Sequence, residues 1–174
     1  DTYKGNVAEA ALQAGADLVN DIWGFKFDKK TALMTAKYNA ACCLMHNKDE
    51  AVYNDFLEDM VSEMAECVKI ARESGVADDK IMLDPGVGFG KTYEMNLAAI
   101  NHVDVLHRLG FPILLGTSRK SVIGNTLNLP ADQRVEGTLA TTVIGVMKNC
   151  AFVRVHDIKE NKRIIQMTKA ILAH

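Results

Sequence analysis

Five times along this chain a short apolar run breaks off into polar residues and then into a helix-patterned stretch. The breaks fall at Asn20-Asp21, Met45-His46, Asp84-Pro85-Gly86, Ser118-Arg119-Lys120-Ser121 and Arg154-Val155-His156. They recur at intervals of roughly 25 to 40 residues, and the runs through Ala41 to Met45, Ile81 to Leu83 and Phe111 to Leu115 are apolar instead of alternating. Strands of that kind are covered on both faces and pair in parallel. The chain is therefore confined to a parallel α/β fold, either a doubly wound sheet or a (β/α)8 barrel. Both put their ligands at the carboxyl ends of the strands, where the strand-to-helix loops converge. Almost every chemically capable residue outside the helices stands at one of the five breaks, so the site is expected there.

Five strands cannot close an eight-stranded barrel. If the barrel is adopted, residues 1–174 are expected to be a single domain forming its C-terminal five-eighths, an incomplete barrel lacking the first strands, with Asp1 just past the third. Between the runs, helices are expected from Thr31 to Tyr38, from Tyr93 to Leu109, from Arg134 to Lys148 and from Asp157 nearly to His174, the last opened by an Asp157/Glu160 capping box. The clearest helix carries Phe56, Leu57, Met60, Val61, Met64, Val68 and Ala71 at three- and four-residue steps, with Gly75 placed to end it. Its methionines are expected to pack into the core.

The 174 residues suit one domain with a sizeable core. Lys plus Arg total 20 against 22 Asp plus Glu, a net charge of -2 that gives no reason to expect a nucleic acid or an anionic membrane as partner. No apolar run approaches the roughly 20 residues of a spanning helix. Cys42, Cys43, Cys67 and Cys150 show no CxxC spacing. They read as reduced thiols, mostly buried, in a cytoplasmic protein with no zinc site.

The most distinctive stretch is Asp84-Pro85-Gly86-Val87-Gly88-Phe89-Gly90-Lys91-Thr92. Its tail resembles a phosphate-cradling P-loop, but Pro85 stands where that pattern begins with glycine, lacks an N–H and fixes φ. The second reading is a glycine-lined floor with Asp84 aimed inward, an acceptor for a ring bearing adjacent N–H donors. The third is an ordinary turn after a buried strand. Gly116-Thr117-Ser118-Arg119-Lys120-Ser121 gathers two cations and three hydroxyls before a helix, a natural anion site. Arg154 interrupts its strand and is expected to be buried with a partner, or to stack on an aromatic ligand. His156 follows on the same face. One of Asn20 and Asp21 is expected to point inward and the other into the loop; Asn20 offers a donor and an acceptor for a heterocycle edge, or is an ordinary turn residue. His46 is expected to be a hydrogen-bonded structural histidine, and Trp23 to pack or line a pocket.

Taken together, Asp1-Thr2-Tyr3-Lys4, Asn20-Asp21-Ile22-Trp23-Gly24, Leu44-Met45-His46, Leu83 through Lys91, Gly116 through Ser121 and Arg154-Val155-His156-Asp157 resemble the bacterial dihydropteroate synthase family, in order and over the whole chain. The resemblance implies a TIM-barrel transferase of folate biosynthesis, a cytoplasmic homodimer. Such an enzyme condenses 6-hydroxymethyl-7,8-dihydropterin diphosphate with p-aminobenzoate, releasing pyrophosphate. It implies that Asp1, Asn20, Asp84, Lys120 and Arg154 hold the pterin, that Arg154 and His156 meet the diphosphate, and that Phe89, Lys120 and Ser121 border the p-aminobenzoate, where sulfonamides compete. No covalent nucleophile is implied. Mg2+ is implied as cofactor, with its ligand expected outside this chain. The 174 residues alone are expected to be inactive. Val122 stands where phenylalanine is commoner, a change expected to affect packing only. Alternatives are a pterin-binding methyltransferase domain, a P-loop nucleotide binder and a non-catalytic pterin-binding paralogue.

Overall fold

The computed structural model describes residues 1–174. Five parallel strands follow one another in chain order: β1 (Leu18–Asp21), β2 (Ala41–Met45), β3 (Ile81–Asp84), β4 (Leu114–Leu115) and β5 (Phe152–Val153). Hydrogen bonding joins β1 to β2 to β3 and β4 to β5. An Ile113–Leu83 bridge and a 2.9 Å bond from Leu83 N–H to Pro112 O connect the two groups. An arc whose spatial order never reverses has no topological switch, so the doubly wound alternative is excluded and the arc is part of a (β/α)8 barrel. The ring is incomplete, and the inward Leu18 and Phe152 side chains stay exposed at its two ends.

Helices cover the outer face: α1 (Gly5–Gln13), α2 (Lys29–Lys37), α3 (Phe56–Glu73), α4 (Tyr93–Asn101), α5 (Ser121–Leu127), α6 (Val135–Met147) and α7 (Ile158–Leu172). Their starts are set by side chains that satisfy free helix amides. Asp28 accepts from Lys30 N–H, Asp55 from Leu57 and Glu58 N–H, and Thr92 from Met95 N–H. After α3, Gly75 sits at φ +92°, where the turn needs a left-handed residue. No helix is long and apolar enough to cross a membrane.

Strand register decides which residues face which layer. Asn20, Cys43 and Met82 lie level, as do Met45 and Asp84. In a parallel ladder, level residues share a side, and alternate residues repeat it. Asn20, Cys43, Met45, Met82 and Asp84 therefore point to the inside of the arc. Val19, Asp21, Cys42, Leu44, Ile81 and Leu83 point outward to the helices. The hydrophobic core follows this division, for it contains Val19, Cys42, Leu44, Ile81 and Leu83 with Met60, Met64 and Cys67 of α3, but neither Cys43 nor Met45.

Three expectations change. The helix expected from Tyr93 to Leu109 breaks at His102 and continues as a 3-10 helix over Val103–Leu109. There Val103 and Leu106, three apart, bury together, the spacing that 3-10 geometry superimposes. β4 is shorter than its apolar run because Pro112 has no N–H to give the ladder. Finally, Asp157 precedes α7 but caps nothing, since its carboxylate is taken by Arg119.

Met64 is fully buried between α3 and the outer strand face. Met64→Ala is expected to destabilise the chain by about 2–5 kcal/mol in urea unfolding with little change in the denaturant slope. A cost below about 1 kcal/mol would mean that the helix layer is not packed on the strands as described.

Candidate functional site

The inner face is mostly apolar below and polar at its carboxyl rim. Asp84, last in β3, is fully buried. Its Oδ1 accepts from Gly86 N–H at 2.8 Å, whereas Oδ2 has no hydrogen-bond partner. The nearest cation is Arg154, with Nη2 at 3.7 Å from Oδ2. Burial pushes the Asp84 carboxyl above its usual range, opposed by the Gly86 amide and the charges of Lys120, Arg154 and Lys91. Asn20 on β1 is likewise buried and inward. Its Nδ2 donates to the Asp1 carboxylate, and Thr2 N–H returns a 3.0 Å bond to Asn20 O. Asn20 Oδ1 is left buried and unpartnered. Asp21 turns the other way, as expected, and its Oδ1 accepts from Trp23 N–H at 2.8 Å.

The loop after β3 is held from behind. Gly86, at φ +66°, passes so close to the His46 carbonyl that any β-carbon would collide with it. Lys91 folds back under the loop and donates to Gly86 O at 3.0 Å, Phe89 O at 2.9 Å and His46 Nδ1 at 2.8 Å. Three acceptors use all three ammonium protons. This overturns the P-loop alternative, because the lysine that would reach a phosphate is tied inside the protein. Burial pulls Lys91 down to about 7, with Asp84 pulling the other way. His46 Nε2 then donates to Glu63 at 3.1 Å, and Lys48 holds the other oxygen of Glu63 at 2.7 Å. His46 is thus the structural histidine expected.

On the opposite side of Asp84, Lys120 reaches across from the loop after β4. It donates to Val87 O and lies 4.9 Å from the centre of the Phe89 ring. Burial lowers its ammonium to about 8, against the pull of Asp84. Lys120 and Phe89 are therefore brought together, as the resemblance implies. Ser121 begins α5 and is exposed, with no side-chain partner. Val122 is buried in the apolar core.

The anion cluster read from Gly116 through Ser121 is largely taken apart. Thr117 faces outward and pairs with Thr141 on α6 at 2.6 Å. Arg119, at φ +59°, forms a two-point bond with Asp157, its Nη2 at 2.7 Å and Nε at 3.3 Å. Ser118 Oγ meets His156 Nδ1 at 2.8 Å. Of the segment's two cations, only Lys120 keeps a face toward the site. Arg154 departs from expectation in a different way. It continues the ladder, its N–H donating to Leu115 O at 3.1 Å, and points inward, but its side chain is 43% exposed. β5 is the last strand of the arc, so nothing covers Arg154 on its far side. It passes close over Gly116, where a β-carbon would lie 3.1 Å from Arg154 Nη2.

Sequence reading missed Lys91, Ser118 and Arg119 as holding residues. Their side-chain partners His46, His156 and Asp157 are 38 to 45 positions away, and no local pattern reports such pairs. Cys42, Cys43 and Cys67 are buried free thiols, and Cys150 is partly buried. Burial holds Cys42 up to about 12 and Cys67 up to about 11, so neither is a nucleophile. No group of three or more His, Cys, Asp or Glu is disposed to hold a metal ion.

Comparison with known proteins converges. The family model described as pterin binding enzyme matches residues 1–156. The dihydropteroate synthase of Clostridium beijerinckii is 59% identical over 173 residues, covering 99% of this chain and 64% of that protein. The chain thus spans a little under two thirds of that relative's length. A solved dihydropteroate synthase from Clostridium difficile, obtained in the presence of pteroic acid, superimposes with a TM-score of 0.96 at 48% identity, covering 98% of this chain and 65% of the other. The Yersinia pestis dihydropteroate synthase in complex with a sulfonamide drug gives 0.94 at 34% identity, covering 99% and 65%.

Burial keeps His46 neutral, down to about 2, with the charges of Lys91, Lys26 and Lys48 adding to the effect. The folded chain therefore refuses a proton that an unfolded histidine takes up below about pH 6.5, and stability is lost as pH falls through that value. At about 1.4 kcal/mol per pH unit the loss reaches about 2 kcal/mol by pH 5. Asp21, lifted to about 6 by burial, acts in the opposite direction, so total stability hides part of the effect. The advantage of the wild type over His46→Gln is expected to shrink by about 2 kcal/mol between pH 7 and pH 5 in urea unfolding. A pH-independent difference would show that His46 titrates normally in the fold.

Proposed function

The chain belongs to the pterin binding enzyme family, and we propose that it carries the pterin-binding side of a dihydropteroate synthase. The reaction joins 6-hydroxymethyl-7,8-dihydropterin diphosphate to p-aminobenzoate, giving 7,8-dihydropteroate and pyrophosphate. One observation carries the reading: two buried acceptor oxygens on the inner face, Asp84 Oδ2 and Asn20 Oδ1, have no donor in the protein. Buried acceptors without partners cost about 1–3 kcal/mol each, so they mark a place where a ligand rich in N–H groups is worth binding. A pterin edge presents adjacent N–H donors of that kind, and a carboxylate accepts two of them in parallel.

The neighbouring groups divide the rest of the work. Asp1 positions Asn20, and Lys120 borders the pterin. Arg154, exposed enough to lie along a ring, stacks on the pterin face and with His156 receives the diphosphate. Phe89, Lys120 and Ser121 line the p-aminobenzoate side. In the reaction the carbon–oxygen bond to the diphosphate breaks, the aniline nitrogen bonds to the methylene and then loses a proton. Arg154 and His156 lower the barrier by stabilising the charge that collects on the leaving group, and the pocket lowers it by alignment. Thiols held protonated by burial fit a path without a covalent enzyme intermediate.

Mg2+ belongs to the same reading. Its protein ligand is expected outside these 174 residues, and the ion would supply positive charge to the diphosphate. A homodimer is supported by an apolar cleft between α4, α5 and α6, lined by Ile100, Val122, Ile123 and the exposed Leu97 and Leu127. Unpaired thiols fit a cytoplasmic protein. The methyltransferase alternative is not favoured, since the relatives named here are dihydropteroate synthases.

The test is pyrophosphate release with pterin diphosphate, Mg2+ and p-aminobenzoate, on this chain and on one extended to the length of its relatives. Release from the extended chain is expected to require p-aminobenzoate and to fall on the order of a hundredfold or more in Asp84→Ala, which removes two charge-assisted hydrogen bonds. The 174-residue chain is expected to be inactive. A folded extended chain that binds pterin without releasing pyrophosphate would leave a non-catalytic paralogue.

A further inference from the structure

We propose that Ser118 is a positioning residue that locks His156 in one tautomer, with the proton on Nε2 and that N–H directed at the anion. The inference deepens the reading of His156 as a diphosphate contact and rests on it. Ser118 is buried in the loop after β4, and its hydroxyl sits between two atoms of the same histidine. His156 N–H donates to Ser118 Oγ at 3.1 Å, and Oγ lies 2.8 Å from His156 Nδ1. A serine hydroxyl has a single proton. The backbone bond uses Oγ as acceptor, and Oγ has no other acceptor in reach, so its proton goes to Nδ1. A neutral imidazole that accepts at Nδ1 carries its proton on Nε2. Nε2 has no protein partner, and His156 is an exposed residue.

The surroundings hold this arrangement from the next position along. Arg119 adopts φ +59°, a conformation that non-glycine residues keep only where several contacts impose it. Its guanidinium grips Asp157, its N–H donates to Thr138 Oγ1 at 3.2 Å, and its carbonyl accepts from Arg134 at 2.8 Å. Consecutive residues of one loop thus hold consecutive residues of the next: Ser118 holds His156 and Arg119 holds Asp157. The tautomer matters because an Nε2 without a proton would present a lone pair to an anion, whereas Nε2–H presents a donor without requiring a charged ring.

The experiment uses 15N-histidine-labelled chain at alkaline pH, with one- and two-bond 15N–1H correlation to report which ring nitrogen carries the proton. Five histidines are present, and His156→Gln assigns the signal. The wild type is expected to show Nε2–H alone. Ser118→Ala is expected to give a mixture, while Ser118→Thr, which keeps a hydroxyl, keeps the wild-type pattern. Calorimetry with inorganic pyrophosphate is expected to show binding weakened about three- to tenfold in Ser118→Ala and restored in Ser118→Thr. A proton on Nδ1 in the wild type, or an unchanged tautomer in Ser118→Ala, overturns the proposal whatever the enzyme's activity. An altered tautomer with unaltered pyrophosphate binding also overturns it, and counts against His156 as the diphosphate contact while leaving the pterin pocket standing.

Discussion

Level residues in a parallel ladder must point the same way, and this parity constraint governs the whole molecule. It sends Val19, Cys42, Leu44, Ile81 and Leu83 outward under the helices, where they form the core with α3. The intervening residues, Asn20, Cys43, Met45, Met82 and Asp84, are thereby committed to the inside of the arc. A one-residue slip of any strand would exchange the two sets. Burying a carboxylate with one oxygen left without a hydrogen bond is unfavourable, and the outward apolar set is what holds Asp84 in that position. The site and the core are thus two sides of one pairing register.

Around that register the polar groups fall into two classes. One class is satisfied internally and serves as support. Lys91 under the glycine loop, His46 between Lys91 and Glu63, Arg119 on Asp157 and Thr117 on Thr141 all have their hydrogen bonds met by the protein. The other class is buried or half-buried with capacity left over: Asp84 Oδ2, Asn20 Oδ1, the Arg154 guanidinium and His156 Nε2. The first class keeps the second from collapsing onto itself. Without Lys91 holding Gly86 and Phe89, the loop carrying the aromatic edge of the site would lose three interior bonds. Without Arg119, the turn at His156 would lose its ion pair.

Much of this was legible locally. The strand runs, the helix on α3 with Gly75 after it, and the five polar breaks follow from short-range periodicity and from the few residues that can end an element. That Asn20 and Asp21 face opposite ways follows from period-two alternation, though the strand register decided which faces inward, and the core role of Met60 and Met64 follows from period 3.6. Less legible was the fate of the cations. Arg119, Lys120 and Lys91 look alike in a sequence, each a positive residue beside glycine or serine. In the fold one is an ion-pair clamp, one faces the site and one is enclosed under a loop. The expected capping box at Asp157 failed for the same reason, since its carboxylate found a stronger partner 38 positions back.

By itself, then, the sequence determined the parallel β-α repeat, the rim on which the chemistry sits and the residue types available there, because these depend on periodicity and turn chemistry within a few residues. Tertiary structure alone decided which of those groups remain free for a ligand. That outcome depends on how distant side chains compete for the same donors and acceptors once they are brought within about 3 Å of one another, where each group already paired is withdrawn from the site.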